Sequence, residues 1–302
     1  MDTPFLQIEN LTKRFDALTA LDGIAADIPE NSIFGIIGPD GAGKSTLMKI
    51  VVGLIQSDSG SLRFSARDIR KPGGIGYMPQ EFSLYPDLTV HENLMFFANL
   101  YKIRGNERKE RYNRLLEFSR LTNFTNRRAE NLSGGMKQKL ALISVLMYAP
   151  PLLILDEPTT GVDPMARAEL WEMLQTLKSE GRTILVSTSY MEEAVQCDEV
   201  IFLSHGKVLA NNSPGGLKAN YAQALFEVRT QKIMTILPTM EQTDWIHMIY
   251  PKGDRIHLSV QESDISESEM QSRLDDIIDR EFSVSRISPG MEDVYAALEG
   301  QS

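Results

Sequence analysis

Residues 38–46 read Gly-Pro-Asp-Gly-Ala-Gly-Lys-Ser-Thr, and they directly follow the apolar run Ser-Ile-Phe-Gly-Ile-Ile at residues 32–37. An apolar run that ends in such a loop is typical of a buried strand that leads into a phosphate-binding turn. The three glycines let the backbone curl until several N–H groups point at one anion, and the helix that begins near Lys44 adds the positive end of its dipole. The stretch therefore predicts a binding site for a nucleoside triphosphate.

The residues of this loop are expected to have different roles around the triphosphate. Lys44 should reach the β- and γ-phosphates, and the Ser45 hydroxyl should bind the Mg²⁺ ion that bridges them. The predicted nucleotide-binding residues of the loop are Gly38, Pro39, Asp40, Gly41, Ala42, Gly43, Lys44, Ser45 and Thr46. The pattern arises by chance in about one per cent of chains of this length, so supporting segments are needed.

A second apolar run, Leu-Leu-Ile-Leu at residues 152–155, ends in two carboxylates, Asp156 and Glu157. A buried parallel strand delivers charged side chains to its carboxyl end in this way. We expect Asp156 to hold Mg²⁺ through water, and Glu157 to orient the attacking water or to accept its proton. Gln80 ends the extended stretch Gly-Tyr-Met-Pro-Gln at residues 76–80 and is predicted to contact both the Mg²⁺ and the attacking water.

Residues 132–139 read Leu-Ser-Gly-Gly-Met-Lys-Gln-Lys and open an apolar helix. This stretch resembles the signature motif of ABC-transporter ATPases. Ser133 should cap the helix, while Gly134 and Gly135 should allow the backbone to approach a phosphate closely. The resemblance implies that Ser133, Gly134 and Gly135 serve the nucleotide that the opposite subunit of a dimer holds.

With this motif, the order of segments matches the ABC family from residue 5 to about residue 215. The stretch Thr-Gly-Val-Asp-Pro at residues 160–164 resembles the loop that crosses the dimer interface, which implies that Asp163 lies near the nucleotide. Phe15 stands where the family stacks an aromatic ring on adenine. The resemblance implies an α/β fold, the P-loop NTPase of ABC type, with a β-rich lobe, a RecA-like parallel sheet and a helical subdomain.

One position departs from the family pattern. Ser189 stands where the family normally has a histidine that contacts the γ-phosphate, just after the strand predicted at residues 182–187. A serine hydroxyl is shorter and uncharged, and it gains no proton near neutral pH. In one interpretation Ser189 supplies a weaker catalytic hydrogen bond and hydrolysis is slow. In the other, the site mainly binds ATP, and a different ATPase chain forms the stronger half of the dimer.

The chain of 302 residues is long enough for two domains. The polar run Asn-Asn-Ser-Pro-Gly-Gly at residues 211–216 is the strongest boundary signal. We predict an ATPase domain at residues 1–215, with its helical subdomain at about residues 87–150. Residues 216–302 should form a small α+β domain of ferredoxin-like type, because the predicted order is strand, helix, hairpin, helix and strand. This domain is acidic, with 15 Asp and Glu against 8 Lys and Arg.

Three further predictions concern local structure. Residues 5–37 have the pattern of antiparallel strands, which would form the β-rich lobe. In the second domain, a hairpin is predicted about residues 252–254, with His247 and His257 flanking it and able to pair across it in a structural role. An aromatic and apolar cluster follows Gln80, and the family resemblance implies that it receives the coupling helix of a membrane subunit, with core packing as the alternative. Its members are Phe82, Leu84, Tyr85 and Leu88.

The amino-acid composition limits the kinds of partner that this chain can bind. The net charge of −10 argues against nucleic-acid binding, which needs a basic face. We predict no signal peptide and no membrane span, because no positively charged start precedes an apolar core and no run of about 18 apolar residues occurs, so transport would need separate membrane subunits. The single cysteine, Cys197, excludes an internal disulfide and fits a reducing cytosol.

Two short motifs narrow the resemblance within the family. Gly-Met-Glu-Asp-Val-Tyr at residues 290–295 resembles the end of drug-exporter ATPases of the daunorubicin-resistance type. Ser-Thr-Ser-Tyr-Met at residues 187–191 resembles the first ATPase half of fused bacterial multidrug-exporter ATPases.

The resemblance implies an ATPase that uses ATP and Mg²⁺ at the cytoplasmic face of the bacterial inner membrane. It would form a nucleotide-sandwich dimer with a second ATPase chain, the same or different, on integral-membrane permease subunits, and would power export of a drug-like or lipophilic compound. The alternative is a regulatory or other non-transport ABC protein that binds ATP and hydrolyses it weakly. The exported compound, the choice between homodimer and heterodimer, and the role of the C-terminal domain stay open.

Overall fold

The computed structural model describes residues 4–65, 69–230, 233–278 and 281–300. The outermost residues of both predicted domains, 1–3 and 301–302, therefore lie outside the described residues. The chain divides into two compact units, Met1–Ser213 and Pro214–Ser302.

The first unit contains fourteen named strands and α-helices in its described part. In chain order they are β1 (Leu6–Phe15), β2 (Leu18–Ile28), β3 (Ile33–Ile37), α1 (Lys44–Val52), β4 (Ser59–Phe64), β5 (Ile75–Met78), α2 (Val90–Leu100), α3 (Gly105–Ser119), α4 (Gly134–Leu146), β6 (Leu152–Asp156), α5 (Pro164–Ser179), β7 (Thr183–Thr188), β8 (Glu199–Ser204) and β9 (Lys207–Asn212).

Strands β2, β1 and β4, in that order, form an antiparallel sheet, the β-rich lobe. The predicted extent of the antiparallel strands, residues 5–37, was wrong at its carboxyl end. The last of these strands, β3, instead pairs in parallel with β7 and β8. All five residues of β3 are buried, and a strand covered on both faces belongs in the middle of a parallel sheet.

The central sheet has the order β5-β6-β7-β3-β8-β9, and only its edge strand β9 runs antiparallel to its neighbour. Strands β6 and β7 are buried at every residue. The carboxyl ends of parallel strands meet at one edge of a sheet, which is where ligands bind in folds of this kind. The phosphate loop after β3, the acidic end of β6 and the segment after β7 therefore come together there.

The helical subdomain comprises α2, α3 and α4, and the first two pack against α4. Helix α2 begins with a capping box, in which Thr89 and Glu92 satisfy each other's backbone N–H groups. The buried Asn93 side chain accepts from the Tyr85 N–H and donates to the carbonyls of Tyr85, Leu88 and Thr89. These bonds fix the loop that joins the central sheet to the subdomain.

The single cysteine, Cys197, is buried against β3. A Cβ atom built on Gly35 would lie 2.8 Å from the Cys197 Sγ, so glycine makes room for the thiol. Burial, and then the nearby carboxylates of Asp198 and Glu193, raise the pKa of this thiol.

In its described part, the second unit comprises α6 (Pro214–Ala219), β10 (Ala224–Thr230), α7 (Ile233–Glu241), β11 (Met248–Lys252), β12 (Arg255–Val260), α8 (Glu267–Asp275), β13 (Phe282–Arg286) and α9 (Met291–Glu299). Its antiparallel sheet has the order β11-β12-β10-β13, and the connections from β10 to β13 alternate as β-α-β-β-α-β. This is the strand order of a ferredoxin-like unit.

The β11–β12 register shows that the predicted pairing of His247 with His257 was wrong. Tyr250, not His247, lies opposite His257 in this hairpin. The buried His257 ring instead lies 2.7 Å from an Asp293 carboxylate oxygen, through its Nδ1 atom. His257 thus joins the sheet to the last helix.

Within the described residues, no helix has the length and apolar character that a membrane span requires.

Candidate nucleotide-binding site

A cavity of about 420 Å³ opens at the carboxyl edge of the central sheet. It lies between the phosphate loop, the end of β1 and the acidic end of β6. The residues that line it are Phe15, Leu18, Thr19, Ala20, Asp40, Gly41, Gly43, Lys44, Ser45, Thr46, Gln80, Glu157 and His205.

The phosphate loop has a backbone that requires glycine. Gly43, the N-cap of α1, has a φ angle of 106°, and a Cβ atom there would lie 2.5 Å from the Ala20 carbonyl oxygen. Gly38 is confined as well, because a Cβ atom would clash with the Leu203 carbonyl. A side chain at either position would therefore distort the loop and move the N–H groups at the start of α1.

The Lys44 ammonium group is buried within this loop. Its Nζ donates to the carbonyl oxygens of Gly38 and Pro39 at 2.8 and 3.0 Å, and it lies 2.9 Å from Glu157 Oε1. The exposed Asp40 carboxylate is 4.0 Å away. Lys44 is therefore fixed at the cavity wall, with two backbone carbonyls and a carboxylate to hold its charge.

Asp156 lies directly behind the cavity wall and is only 1% exposed. Its Oδ1 accepts hydrogen bonds from the Ser45 and Ser187 hydroxyls at 3.0 and 2.7 Å. Burial, and then the negative charge of Asp156, raise the pKa of Tyr77 to about 12, so this phenol stays protonated. The Ser45 hydroxyl, the Asp156 carboxylate and the nearby Gln80 amide supply the hard oxygen donors that Mg²⁺ prefers, and the site therefore fits this ion.

Glu157 is buried, with 4% of the residue exposed, and its carboxylate contacts several side chains. Besides Lys44, its Oε2 accepts from Gln80 Nε2 and Thr160 Oγ1, both at 3.0 Å. Its own backbone N–H donates to the Ser187 hydroxyl at 3.0 Å. The φ angle of Glu157 is 49°, a conformation that costs a non-glycine residue about 1–2 kcal/mol. Such strain is found at sites whose geometry is fixed for function.

The aromatic side of the cavity is open. Phe15, at the end of β1, is 45% exposed, and Lys13 Nζ lies 5.3 Å from the centre of its ring. Leu18, Thr19 and Ala20 of β2 continue this wall. An exposed ring beside a phosphate loop offers a stacking surface to a base.

The signature residues form a separate cluster. Ser133 caps α4 by accepting a bond from the Met136 N–H, and Asp163 caps α5 by accepting from the Ala166 N–H at 3.0 Å. A Cβ atom on Gly135 would overlap that of Ala166, and a Cβ atom on Gly134 would lie 3.3 Å from the Gly161 carbonyl oxygen. We call Ser133, Gly134, Gly135 and Asp163 the signature cluster. Its members are not among the residues that line the cavity.

Ser189 follows β7 and is half-buried, and it too is not among the cavity-lining residues. Its surroundings are organised by Glu193, whose Oε2 accepts from the Thr188 and Thr159 hydroxyls at 2.6 and 3.0 Å. Arg167 of α5 pairs with Glu193 at 3.5 Å and lies 3.9 Å over the Tyr190 ring. The buried carboxylate thus joins the segment after β7 to the acidic turn after β6 and to α5.

Several of these residues were missed by sequence reasoning. Ser187 and Thr160 were quoted only as members of motifs, and Glu193 was not considered. Thr19 and His205 reach the cavity from β2 and from the β8–β9 turn, and no local pattern in the sequence places them beside the phosphate loop.

Comparison with known proteins identifies the relatives of this chain. Residues 21–160 match the family described as ABC transporter. The probable multidrug ABC transporter ATP-binding protein YbhF of Escherichia coli (strain K12) is 44% identical over 233 residues, which are 75% of this chain and 40% of that protein. The chain therefore spans less than half the length of this relative.

Two other relatives match along more of their own length. The Nod factor export ATP-binding protein I of Ralstonia nicotianae is 38% identical over 70% of this chain and 68% of that protein. The linearmycin resistance ATP-binding protein LnrL of Bacillus subtilis (strain 168) is 38% identical over 68% of each.

Solved structures show the same fold. An ATP-binding subunit of an ABC transporter superposes with a TM-score of 0.64 at 29% identity and covers 72% of this chain and 93% of that one. The dimeric structure of MJ0796, a bacterial ABC transporter cassette, gives a TM-score of 0.62 at 29% identity, with 69% and 98% coverage. The predicted α/β P-loop fold of ABC type is thereby confirmed, and the chain belongs to the ABC transporter family of ATP-binding proteins.

Proposed function

We propose that this chain binds and hydrolyses ATP and so powers export through separate membrane subunits. The observation that carries the proposal is that one cavity is lined by Lys44, Ser45, Gln80 and Glu157, with Asp156 hydrogen-bonded to Ser45 behind its wall. A cation for phosphate, oxygen ligands for Mg²⁺ and a fixed carboxylate for water are the groups that phosphoryl transfer requires.

The nucleotide would bind along the length of the cavity. Phe15 would stack on adenine, while the backbone N–H groups of residues 38–46 and the Lys44 ammonium would hold the phosphates. Ser45, Asp156 and Gln80 would hold Mg²⁺, which neutralises charge on the β- and γ-phosphates when it is bound. Asp156 would act through water, since its Oδ1 already accepts from two hydroxyl groups.

Glu157 is the proposed catalytic carboxylate. It would orient a water whose oxygen forms a bond to the γ-phosphorus as the bond to the ADP oxygen breaks, and ADP keeps that electron pair. Glu157 would accept the proton of the water, and the products are ADP and inorganic phosphate. Its strained backbone and its bonds to Gln80 and Thr160 support this role, because they hold the carboxylate without immersing it in solvent.

The signature cluster supports a dimer. Ser133 to Gly135 lie at the start of a helix, where backbone N–H groups attract phosphate, yet they are not among the residues that line this chain's own cavity. We infer that they complete the cavity of a second ATPase chain, with Asp163 at the interface. MJ0796, to which this chain is similar, has a dimeric structure.

The helical subdomain offers a surface for a membrane subunit. Tyr85 and Phe96 are 45% and 38% exposed, and their rings pack edge to face at 4.8 Å. Leu84 of the predicted apolar cluster is buried, whereas Phe82 and Leu88 are half-buried. We propose that the exposed part receives a permease helix, which would hold the chain at the cytoplasmic face of the inner membrane.

The exported compound is proposed only by class. The relatives named above are described by multidrug transport, Nod factor export and linearmycin resistance. A drug-like or lipophilic compound is the chemistry that these names favour.

Ser189 supports one alternative, an ABC protein that binds ATP and signals by dimerising with little hydrolysis. Because Ser189 stands where the family normally has a histidine, the hydrogen bond from an imidazole to the γ-phosphate is missing in this chain. ATP turnover by the assembled complex separates the two functions.

The test is purification of the tagged chain from its native membranes, with mass spectrometry of retained proteins and an ATPase assay on the same sample. We expect integral-membrane subunits and ATP turnover that a parallel Lys44→Ala preparation lacks. A second ATPase chain would make the dimer heteromeric. Retention of only soluble partners without turnover would contradict export and support the regulatory alternative.

A further inference from the structure

His205 is a titratable residue of the nucleotide cavity with no role in the function proposed above. It lies on the turn between β8 and β9 and lines the cavity with Thr19, Ala20, Gly41 and Gly43. This part of the wall lies between the phosphate loop and β2. The side chain is exposed, so a ligand in the cavity can reach it.

The turn that carries His205 is fixed to the phosphate loop by its backbone. The Gly206 N–H donates to the Ala42 carbonyl at 3.0 Å, and the Gly206 carbonyl accepts from the Asp22 N–H at 2.8 Å. A Cβ atom on Gly206 would lie 2.8 Å from the Ala20 carbonyl oxygen, so the turn packs tightly on β2. The position of His205 relative to the phosphate loop is therefore set by the fold.

The His205 backbone is also constrained. Its φ angle is 45°, in the left-handed region, and the φ angle of Gly206 is 76°. Two successive residues of this kind make a tight hairpin turn, which fixes the His205 backbone beside the cavity that its side chain lines.

The lysine side chains near His205 are already paired with carboxylates, so a second cation could help to bind an anionic ligand. Among the cavity-lining residues, Asp40 and Glu157 are acidic, and Lys44 is already paired with Glu157. Beside the turn, the Nζ atom of Lys207 in β9 lies 3.7 Å from Oδ2 of Asp22 in β2. On the β1 side, Lys13 pairs with Asp58 at 2.9 Å.

A nucleoside triphosphate brings about four negative charges into this cavity, more than one Mg²⁺ ion and the single ammonium of Lys44 together balance. Histidine is the side chain that gains a positive charge within the physiological pH range, and a protonated imidazole makes stronger hydrogen bonds to an anion than a neutral one.

We propose that His205 is a further nucleotide-binding residue that recognises the anionic part of ATP and makes its affinity rise as the pH falls. This inference rests on the proposed ATP site. The sign follows from charge: a bound anion favours the protonated ring, so the protonated protein binds ATP more tightly. Exposure to solvent screens the interaction, and we expect an effect of about three- to tenfold.

The test is equilibrium binding of ATP with Mg²⁺ to the purified chain at pH 6 and pH 8. It compares the wild type with His205→Ala and His205→Lys, and His247→Ala in the second unit serves as the matched histidine control. The wild type should gain about three- to tenfold more affinity on acidification than His205→Ala. His205→Lys should bind tightly at both pH values, and His247→Ala should behave as the wild type. Protonation of ATP itself is common to all variants and cancels in the comparison.

Adenosine distinguishes recognition of the anion from a change in cavity shape, since it carries no phosphate. Its affinity should be the same for the wild type and His205→Ala. An equal loss for adenosine and ATP would overturn the anion assignment, and unchanged ATP affinity of His205→Ala at both pH values would overturn the inference as a whole. The ATP site itself fails only if the wild type does not bind ATP, so the two failures are distinguishable.

Discussion

Each unit of this protein buries a cluster of titratable side chains, and the two clusters differ in their surroundings. In the first unit, Lys44 and Glu157 line a cavity, and Asp156 is hydrogen-bonded to Ser45 of the same wall. In the second, His257 and Asp293 lie between the sheet and the last helix, and the polar atoms of Asp293 are used within the protein. Burial of charge alone therefore does not identify a ligand site. What distinguishes the first cluster is open space beside its charged groups.

The second cluster is closed by its own hydrogen bonds. Asp293 Oδ1 accepts from the Tyr250 hydroxyl and lies 2.7 Å from His257 Nδ1, while Oδ2 accepts from the Gly290 N–H at 2.7 Å. Burial and the Asp293 carboxylate raise the pKa of Tyr250, so this phenol remains a donor. Asp293 thus caps α9 and joins it to β11 and β12, which is a structural role.

The sharpest test of the comparison is Glu157→Gln in the first cluster. Loss of the carboxylate should lower kcat for ATP by about 10²- to 10⁴-fold, the usual effect of removing a general base. ATP affinity should change by less than about threefold. Steady-state turnover and equilibrium binding on the same preparation measure both quantities, and the surface substitution Glu180→Gln is the control. Wild-type turnover in Glu157→Gln would exclude Glu157 as the base.

Asp293→Ala in the second cluster should lower the stability of the protein rather than its ATP turnover. It leaves His257, Tyr250 and the Gly290 N–H without their acceptor. A buried donor that loses its acceptor costs about 1–3 kcal/mol, so the unfolding free energy should fall by about 3–5 kcal/mol. ATP affinity and turnover per folded molecule should stay unchanged.

Urea unfolding monitored by tryptophan fluorescence measures this loss. Trp171 lies in the first unit and Trp245 in the second, so a Trp171→Phe background makes the signal specific to the second unit. Glu292→Ala removes an adjacent, exposed ion pair with Lys252 and should cost at most about 1 kcal/mol. Equal losses in the two variants would show that burial of Asp293 does not matter.

A smaller change is expected from Ser189→His near the first cluster. A hydrogen bond from an imidazole to the γ-phosphate contributes about 1–2 kcal/mol, so turnover of the assembled complex should rise about tenfold. Ser189→Ala separates loss of the hydroxyl from gain of the ring and should lower turnover slightly. An unchanged rate in Ser189→His would argue that this position does not limit hydrolysis.

The smallest expected effect concerns an ion pair outside both clusters. Lys139, and to a lesser extent Arg120, hold the pKa of Glu169 below its usual value of 4.5. A folded-state pKa that is lowered adds stability above the unfolded pKa, and this stability is lost as the pH falls through the folded pKa. The contribution of this partly exposed pair should be about 1 kcal/mol.

Thermal unfolding of the wild type and Glu169→Gln between pH 7 and pH 3 checks this sign. The stability difference between the two proteins should be largest at neutral pH and should disappear as the pH falls through the lowered pKa of Glu169. A difference that grows on acidification would contradict the lowered pKa.

The local fold of the contiguous parts of the candidate site could be predicted from the sequence, because one motif carries both its chemistry and its backbone. Lys44 and Ser45 were predicted to follow one buried strand and Glu157 to end another, and the structure brings the three to one cavity. The limit of the β-rich lobe was wrong because β3 was assigned to antiparallel strands, although residues 33–37 lack the alternation of a half-exposed strand. Continuous burial was the better signal.

Residues that reach a site from distant turns could not be predicted in this way. Glu193 is buried among Thr159, Thr188 and Arg167, which come from three segments, and only tertiary packing brings them together. His205 similarly depends on the close contact between Gly206 and β2. The partner of His257 is Asp293, 36 residues away, which hairpin register alone does not reveal.

The buried Cys197 has a practical consequence for measuring how two copies of this chain move. The thiolate is the form that reacts with labels, and burial disfavours it here, so the native protein presents little background to thiol reagents. One cysteine introduced at an exposed position outside the cavity, such as Leu54, would then carry nearly all of the label. A homodimer would hold one such probe in each protomer, and the distance between the two probes would follow closure of the proposed ATP sandwich without a cysteine-free background.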